Sequence, residues 1–276
     1  MKNYSRRKFL FSSLAISSLP TFQSEILGSI FQKNKIDLAL QIYSFAPLLF
    51  QNQLDILKFP EMIREKYKIN GAEYWSIAFM GKESDTNFIK DLNKRSLDQN
   101  VENLIILVDN VDINTMENGP SLASSEKNER DKSIDFHKKW IDVASEIGCH
   151  SIRVNLRSNE SNTDKILDNS SESISKLIDH SSSQGVSIVV ENHGGITGDA
   201  DWLVSLMTNI NNDYVGTLPD FGSYNFCVKR GELNFEGLTG ECENQYDKYK
   251  GVKKLLPFAK GISAKSHEFN SMGEET

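Results

Sequence analysis

Val186-Ser187-Ile188-Val189-Val190-Glu191-Asn192-His193-Gly194-Gly195 opens as a near-continuous β-branched apolar run and breaks abruptly into polar residues and glycine. A strand buried on both faces, as in a parallel sheet, needs such a run. The groups just past a strand end are where parallel α/β proteins place their chemistry. Outward from this strand, Asp168 to Ser183 and Asp201 to Ile210 carry apolar residues at helical spacing. The same holds for Ser133 to Ile147, where Ile134, Trp140, Ile141, Val143, Ala144 and Ile147 recur near 3.6-residue spacing. Further strand-like runs are Ile36 to Tyr43, Gly71 to Trp75, Leu104 to Val108, Ser151 to Leu156, Tyr214 to Leu218 and Lys260 to Ala264.

Strands alternating with helices imply a parallel sheet, and seven such units predict an α/β fold, a (β/α)8 TIM barrel truncated after strand seven. One loop-rich insertion, Asn110 to Asp131, follows the third strand. The polar stretch Ser271-Met272-Gly273-Glu274-Glu275-Thr276 comes where a helix and an eighth strand are due. A doubly wound open sheet is the alternative, but no glycine-rich phosphate loop follows the first strand.

The expected barrel domain runs over residues 36–276. Residues 1–35 differ in character: Ser5-Arg6-Arg7-Lys8-Phe9-Leu10 carries paired arginines ahead of a short apolar run and Pro20, the order of a twin-arginine export signal. Export to the periplasm is therefore expected. No stretch reaches the roughly 20 apolar residues of a membrane span. A net charge of −7 over 276 residues, with no dense basic stripe after the leader, argues against a nucleic-acid partner. Homo-oligomerisation stays open. The three cysteines lack zinc-ligand spacing. Cys227 and Cys242 can close a short loop in an oxidising compartment, and Cys149, just before an apolar strand, is expected to be buried and unpaired.

Several strand ends carry polar groups. The fifth gives Glu191 and His193, two residues apart and expected to face the same way. The sixth gives Asp220, the seventh Lys265 and His267 on one face, the fourth Arg153 and Asn155, and the second Glu73. One Glu, one Asp and one His on three successive strand ends form a carboxylate-rich oxygen and nitrogen ligand set, which suits Mn²⁺, Mg²⁺, Co²⁺ or Zn²⁺. Tyr43, Trp75 and Phe269 are candidates for an apolar wall against a sugar ring.

The stretches Glu146 to Asn155, Val189 to Gly195, Gly216-Thr217-Leu218-Pro219-Asp220-Phe221-Gly222 and Ala259 to Lys265 also carry a family likeness. From about Ile36 onward the chain resembles the xylose-isomerase-like barrels of the sugar phosphate isomerase/epimerase superfamily. The resemblance implies a divalent metal held by Glu191 and Asp220. A third ligand comes from strand seven, where His267 is the histidine present, although Ser263 takes the ligand position if Ser263-Ala264-Lys265-Ser266 is the matching stretch. The family's strand-eight Glu has no counterpart in the sequence. The implied activity is isomerisation or epimerisation of a sugar or polyol ketone, a small-molecule substrate, through an enediolate. Glu191 then serves as ligand and base, Lys265 and Arg153 stabilise charge, and Asn155, His193 and Glu73 contact substrate hydroxyls. Two other readings stay open: a degenerate sugar-binding barrel, and a metal-dependent lyase or dehydratase on an oxidised sugar. A metal-dependent endonuclease is disfavoured by the net charge and by only five histidines, and no G-x-S-x-G elbow supports a serine hydrolase.

Overall fold

Six short apolar runs become strands, each hydrogen-bonded to the next along the chain. They are β1 (Ala39–Gln41), β2 (Gly71–Trp75), β3 (Glu102–Leu107), β4 (Ser151–Val154), β5 (Ser187–Glu191) and β6 (Val215–Leu218), all parallel. A computed structural model describes residues 38–112, 115, 117–231, 241–265 and 270–272. The leader, His267 and Phe269 lie outside these described residues, and none of the helices described is long and apolar enough to cross a membrane. A doubly wound sheet reverses its strand order at a switch point; the unbroken order β1 to β6 is that of the (β/α) barrel.

The helices are α1 (Ala46–Phe50), α2 (Phe59–Tyr67), α3 (Thr86–Asp98), α4 (Lys127–Ile147), α5 (Thr163–Ser183), α6 (Ala200–Ile210) and, past a hairpin, α7 (Lys248–Leu255). Their starts follow from local capping. Asp85, Asn162 and Asp199 each accept two backbone N–H bonds at the N-termini of α3, α5 and α6, a device that typically contributes about 1 kcal/mol. Helix α4 begins at Lys127 and α5 at Thr163, both earlier than their apolar spacing indicates, because the first turns are polar and exposed. Between sheet and helices lies the core, with Ile105, Ile106, Ile152, Ile188, Val189 and Val190 almost wholly buried. Cys149 is buried and unpaired as expected.

His137 on α4 is buried, its Nδ1 2.7 Å from the Ser133 carbonyl oxygen. Desolvation pushes its pKa down to about 4, so the ring folds as the neutral Nδ1–H tautomer, donating to that carbonyl. An unfolded histidine titrates near 6.5. The unfolded chain therefore binds the extra proton between about pH 6.5 and 4, and stability falls as pH drops through that window, by about 3 kcal/mol from this group. His137→Gln is expected to flatten that slope in urea melts at pH 7 and pH 5.

The seventh run is not a continuous strand. The described part of Lys260 to Ala264 meets β6 and its extension through two isolated parallel bridges, Thr217 with Ala259 and Asp220 with Ser263. Pro219, between the two, has no N–H to give a ladder. Its carbonyl still accepts from the Ser263 N–H at 2.9 Å, and the Phe221 N–H donates to the Ser263 oxygen at 3.1 Å. Gly216 lets this segment approach: a Cβ there would lie 2.6 Å from the Phe258 carbonyl oxygen. Gly216→Ala is expected to cost about 2 kcal/mol by overpacking, measured as a lower urea midpoint. The segment that carries Lys265 would loosen with it.

An antiparallel hairpin, β7 (Cys227–Arg230) with β8 (Cys242–Gln245), follows β6. The sequence gives little sign of it, since both strands are short and mostly polar. A disulfide joins Cys227 to Cys242 across it, with Cα atoms 5.8 Å apart, which settles the pairing left open above.

Candidate active site

Around the ends of β3 to β6, five charged side chains converge. Arg153 is 3% exposed, and Glu191 and Asp220 are fully buried. The Arg153 Nε lies 3.0 Å from Glu191 Oε2, and its Nη1 donates to Asp109 Oδ1 at 2.6 Å and to the Val108 carbonyl at 3.2 Å. From the seventh segment, the Lys265 Nζ lies 2.5 Å from Asp220 Oδ2 and 3.5 Å from Glu191 Oε1. Two cations thus face three carboxylates in a nearly dry pocket, where charge interactions are strong.

The backbone fixes this cluster. Asn192 and Asp220 bond reciprocally across the ends of β5 and β6: the Asn192 side-chain amide donates to the Asp220 carbonyl at 3.0 Å, and the Asp220 N–H donates to Asn192 Oδ1 at 2.8 Å. The Gly222 N–H donates to Asp220 Oδ1 at 2.7 Å. Asp109, just after β3, is the hub of the other side. It accepts from the Trp75 indole at 2.7 Å and from the Asn155 amide at 2.7 Å, besides Arg153.

Their environments drive the carboxylates apart. Burial pushes Glu191 up to about 7, against the pull of Arg153 and Lys265, and the neighbouring Asp220 adds to the rise. Burial also opposes ionisation of Asp220, but the Lys265 ammonium and the hydrogen bonds from Asn225 and Gly222 outweigh it and hold the group below its ordinary value. Asp109 follows the same pattern, with Arg153 overcoming burial. A pair of carboxyl groups separated in this way has an acid–base division of labour built in. Glu191 is the group poised to exchange a proton near neutral pH.

Arg153 and Asn155 do share a face, meeting at Asp109. Glu73 on β2 accepts from the Gln41 amide at 3.3 Å. Burial raises its pKa, which the fields of Arg153 and Lys265 partly offset, so Glu73 borders the same cluster. Glu191 is buried at the end of β5, and His193 follows it at the rim, within reach of the charges of Arg153, Asp109, Lys265 and Asp220. Trp75 packs edge-on against Tyr43 and Phe50, with ring centres 5.0 and 6.0 Å away, and both neighbours are more than half exposed. An apolar wall therefore stands beside Asp109, with Phe50 in addition to the expected Tyr43. The sequence reading missed Asp109, Asn192 and Phe50. Asp109 ends an apolar run as Glu191 does, and that was its signal.

Glu191 Oε2 and Asp220 Oδ2 are buried and receive no directed hydrogen bond among the described residues, although the cations lie at ion-pair distance. Buried carboxylate oxygens of this kind are the donors a hard divalent cation takes. Glu191 and Asp220 therefore fit two ligand positions, and no third His, Cys, Asp or Glu joins them among the described residues. The position directly beside Asp220 on the seventh segment is Ser263.

A family model described as xylose isomerase-like TIM barrel matches residues 65–252. No curated protein matches the chain. Among solved structures, a xylose isomerase domain protein from Planctomyces limnophilus is similar at 15% identity and TM-score 0.55, covering 74% of this chain and 67% of that one. The 3-keto-D-glucoside 4-epimerase of E. coli is similar at 11% and 0.55, covering 76% and 73%. A D-psicose 3-epimerase determined in the presence of D-fructose is similar at 11% and 0.56, covering 86% and 88%. At these identities the likeness is one of fold.

Proposed function

The chain belongs to the xylose isomerase-like TIM barrel family, and from that premise we propose that it is a divalent-metal-dependent sugar isomerase or epimerase working through an enediolate. The observation that carries the reading is the buried Glu191 carboxylate, set beside Asp220 and between the cations of Arg153 and Lys265. Glu191 takes the proton from the carbon beside the substrate carbonyl. The electron pair of that C–H bond becomes the enediolate double bond, and the carbonyl oxygen gains the negative charge. Arg153 and Lys265 stabilise that charge, which develops only as the proton leaves. Return of the proton to the former carbonyl carbon, with transfer of the neighbouring hydroxyl proton to the former carbonyl oxygen, completes isomerisation; protonation of the original carbon from the opposite face, by a donor other than Glu191 such as solvent, completes epimerisation.

Glu191 and Asp220 would hold the metal ion, with His267 the remaining candidate ligand, and Mn, Co, Mg or Zn suits carboxylates of this kind. When bound, the ion polarises the carbonyl and its neighbouring hydroxyl. Asn155, whose Oδ1 is buried without a partner among the described residues, accepts a substrate hydroxyl. His193 and Glu73 bind further hydroxyls, and the exposed rings of Tyr43 and Phe50 flank the sugar. Export through the twin-arginine leader places this chemistry in the periplasm.

The test is product analysis. The full chain, supplied with Mn²⁺, is incubated with a panel of ketoses, aldoses and 3-keto sugars and followed by proton NMR. An isomer or epimer formed from at least one of them, and suppressed by a chelator, supports the reading. A dehydrated product would transfer the same base to a lyase, and no product from any sugar would leave a binding barrel.

A further inference from the structure

A cleft of about 250 Å³ opens between the loops that leave β4 and β5, beside the charged cluster. Its lining includes Asn155, Arg157, Ser158 and His193, and no aspartate or glutamate is among the residues that line it. Desolvation pushes His193 down to about 4, so Arg157 is the cation of this cleft, and in a chain of net charge −7 an arginine with no acid beside it among the described lining residues calls for an explanation. Arg157 is half-buried and makes no ion pair among the described residues; its Nη2 donates to the Asn110 carbonyl at 3.3 Å, and its Nε and Nη1 have no acceptor there. The Asp109 charge reaches Arg157 only in part against burial, and a guanidinium kept from water on one side with no carboxylate in ion-pair contact is otherwise a cost.

We propose that this cleft is a subsite for an anionic substituent of the substrate, a carboxylate or a phosphate ester, bound through Arg157. The Nε–H and the Nη1 hydrogens of the guanidinium remain to donate charge-assisted hydrogen bonds to anion oxygens. Ser158 Oγ accepts the Glu160 N–H at 3.2 Å, which leaves its own hydroxyl hydrogen to donate into the cleft. Thr197 is already engaged, donating to the Gly194 oxygen and accepting from the His193 N–H at 2.9 Å each. The cleft is contiguous with the reaction site because Asn155 belongs to both. Its amide nitrogen bonds Asp109 in the charged cluster, and its free Oδ1 is available to a hydroxyl of the bound sugar. A sugar whose reacting carbons lie at Glu191 would direct its far end toward Arg157.

The proposal rests on the sugar reading above and is tested so that the two fail separately. Isothermal titration of the full chain without added metal compares D-fructose, D-gluconate, D-fructose 6-phosphate and inorganic phosphate, on wild type, Arg157→Met and Arg157→Lys. The expected result is that at least one sugar anion binds tenfold or more tightly than D-fructose. Arg157→Met removes that excess while fructose binding is unchanged, and Arg157→Lys keeps part of it. Preference for gluconate identifies a carboxylate, and preference for fructose 6-phosphate identifies a phosphate ester. Inorganic phosphate that binds wild type but not Arg157→Met, with no sugar bound at all, would uphold the anion site and overturn the sugar reading. Anions that bind no better than fructose, or an excess that survives Arg157→Met in a variant with unchanged circular dichroism, would overturn the subsite.

Discussion

Glu191→Gln is expected to lower kcat on the substrate found by product analysis by about 10² to 10⁴, the usual worth of a positioned general base. The amide is nearly the same size as the carboxyl, so packing at the end of β5 survives. It accepts no proton at neutral pH, and it removes one of the two buried carboxylates facing Lys265. Substrate binding that depends on Asn155 and the aromatic wall should change much less, so the loss belongs in kcat rather than in KM. Steady-state kinetics with matched thermal melts check this. A variant that keeps more than about a tenth of wild-type kcat would move the base elsewhere.

Arg153→Met is expected to be the most damaging single substitution for stability among the site residues. Arg153 is nearly fully buried and is the partner of two carboxylates, Asp109 at 2.6 Å and Glu191 at 3.0 Å. Removing it leaves both in a dry site with one cation fewer, a loss of about 3 to 5 kcal/mol for a broken buried pair. The sign with pH follows from Asp109, whose folded pKa Arg153 holds down against burial. That stabilisation is present above the carboxylate's unfolded pKa, and the variant loses it. Without the guanidinium the buried carboxyls hold their protons to higher pH, so the deficit should shrink as pH falls from 8 toward 5. Urea melts of both proteins across that range measure it, and a constant deficit would mean that lost packing, not charge, is the cause.

What the sequence made legible was what a strand end makes legible. Val186 to Val190 is apolar on both faces because β5 lies between neighbouring strands with helices outside, and Glu191 stands out as the first charge after it. Asp220 stands out for the same reason and Arg153 as a charge inside the apolar run of β4, and the fold brings them together with Lys265. Asp109 was hidden because the irregular stretch after it drew attention away from the strand that it ends. Arg157 sits past the end of β4, where a strand's alternation no longer tells which way a side chain points. His193 lies two residues past the last paired residue of β5 and just before the turn that Gly194 makes with positive φ, yet it stays within reach of the charged cluster. The broken seventh segment follows from Pro219, whose missing N–H affects the neighbouring segment rather than its own run. The hairpin of β7 and β8 depends on pairing between segments some fifteen residues apart, joined by a disulfide, and local pattern carries little of that.

The central claim is that Glu191 removes a carbon-bound proton from a sugar, and the most direct measurement is hydrogen exchange with solvent. The full chain with Mn²⁺ is incubated in D₂O with its substrate and followed by NMR. Deuterium should enter the carbon beside the carbonyl in wild type, and the rate should fall by about 10² or more in Glu191→Gln. Turnover without any deuterium uptake, or uptake undiminished in Glu191→Gln, would contradict the claim.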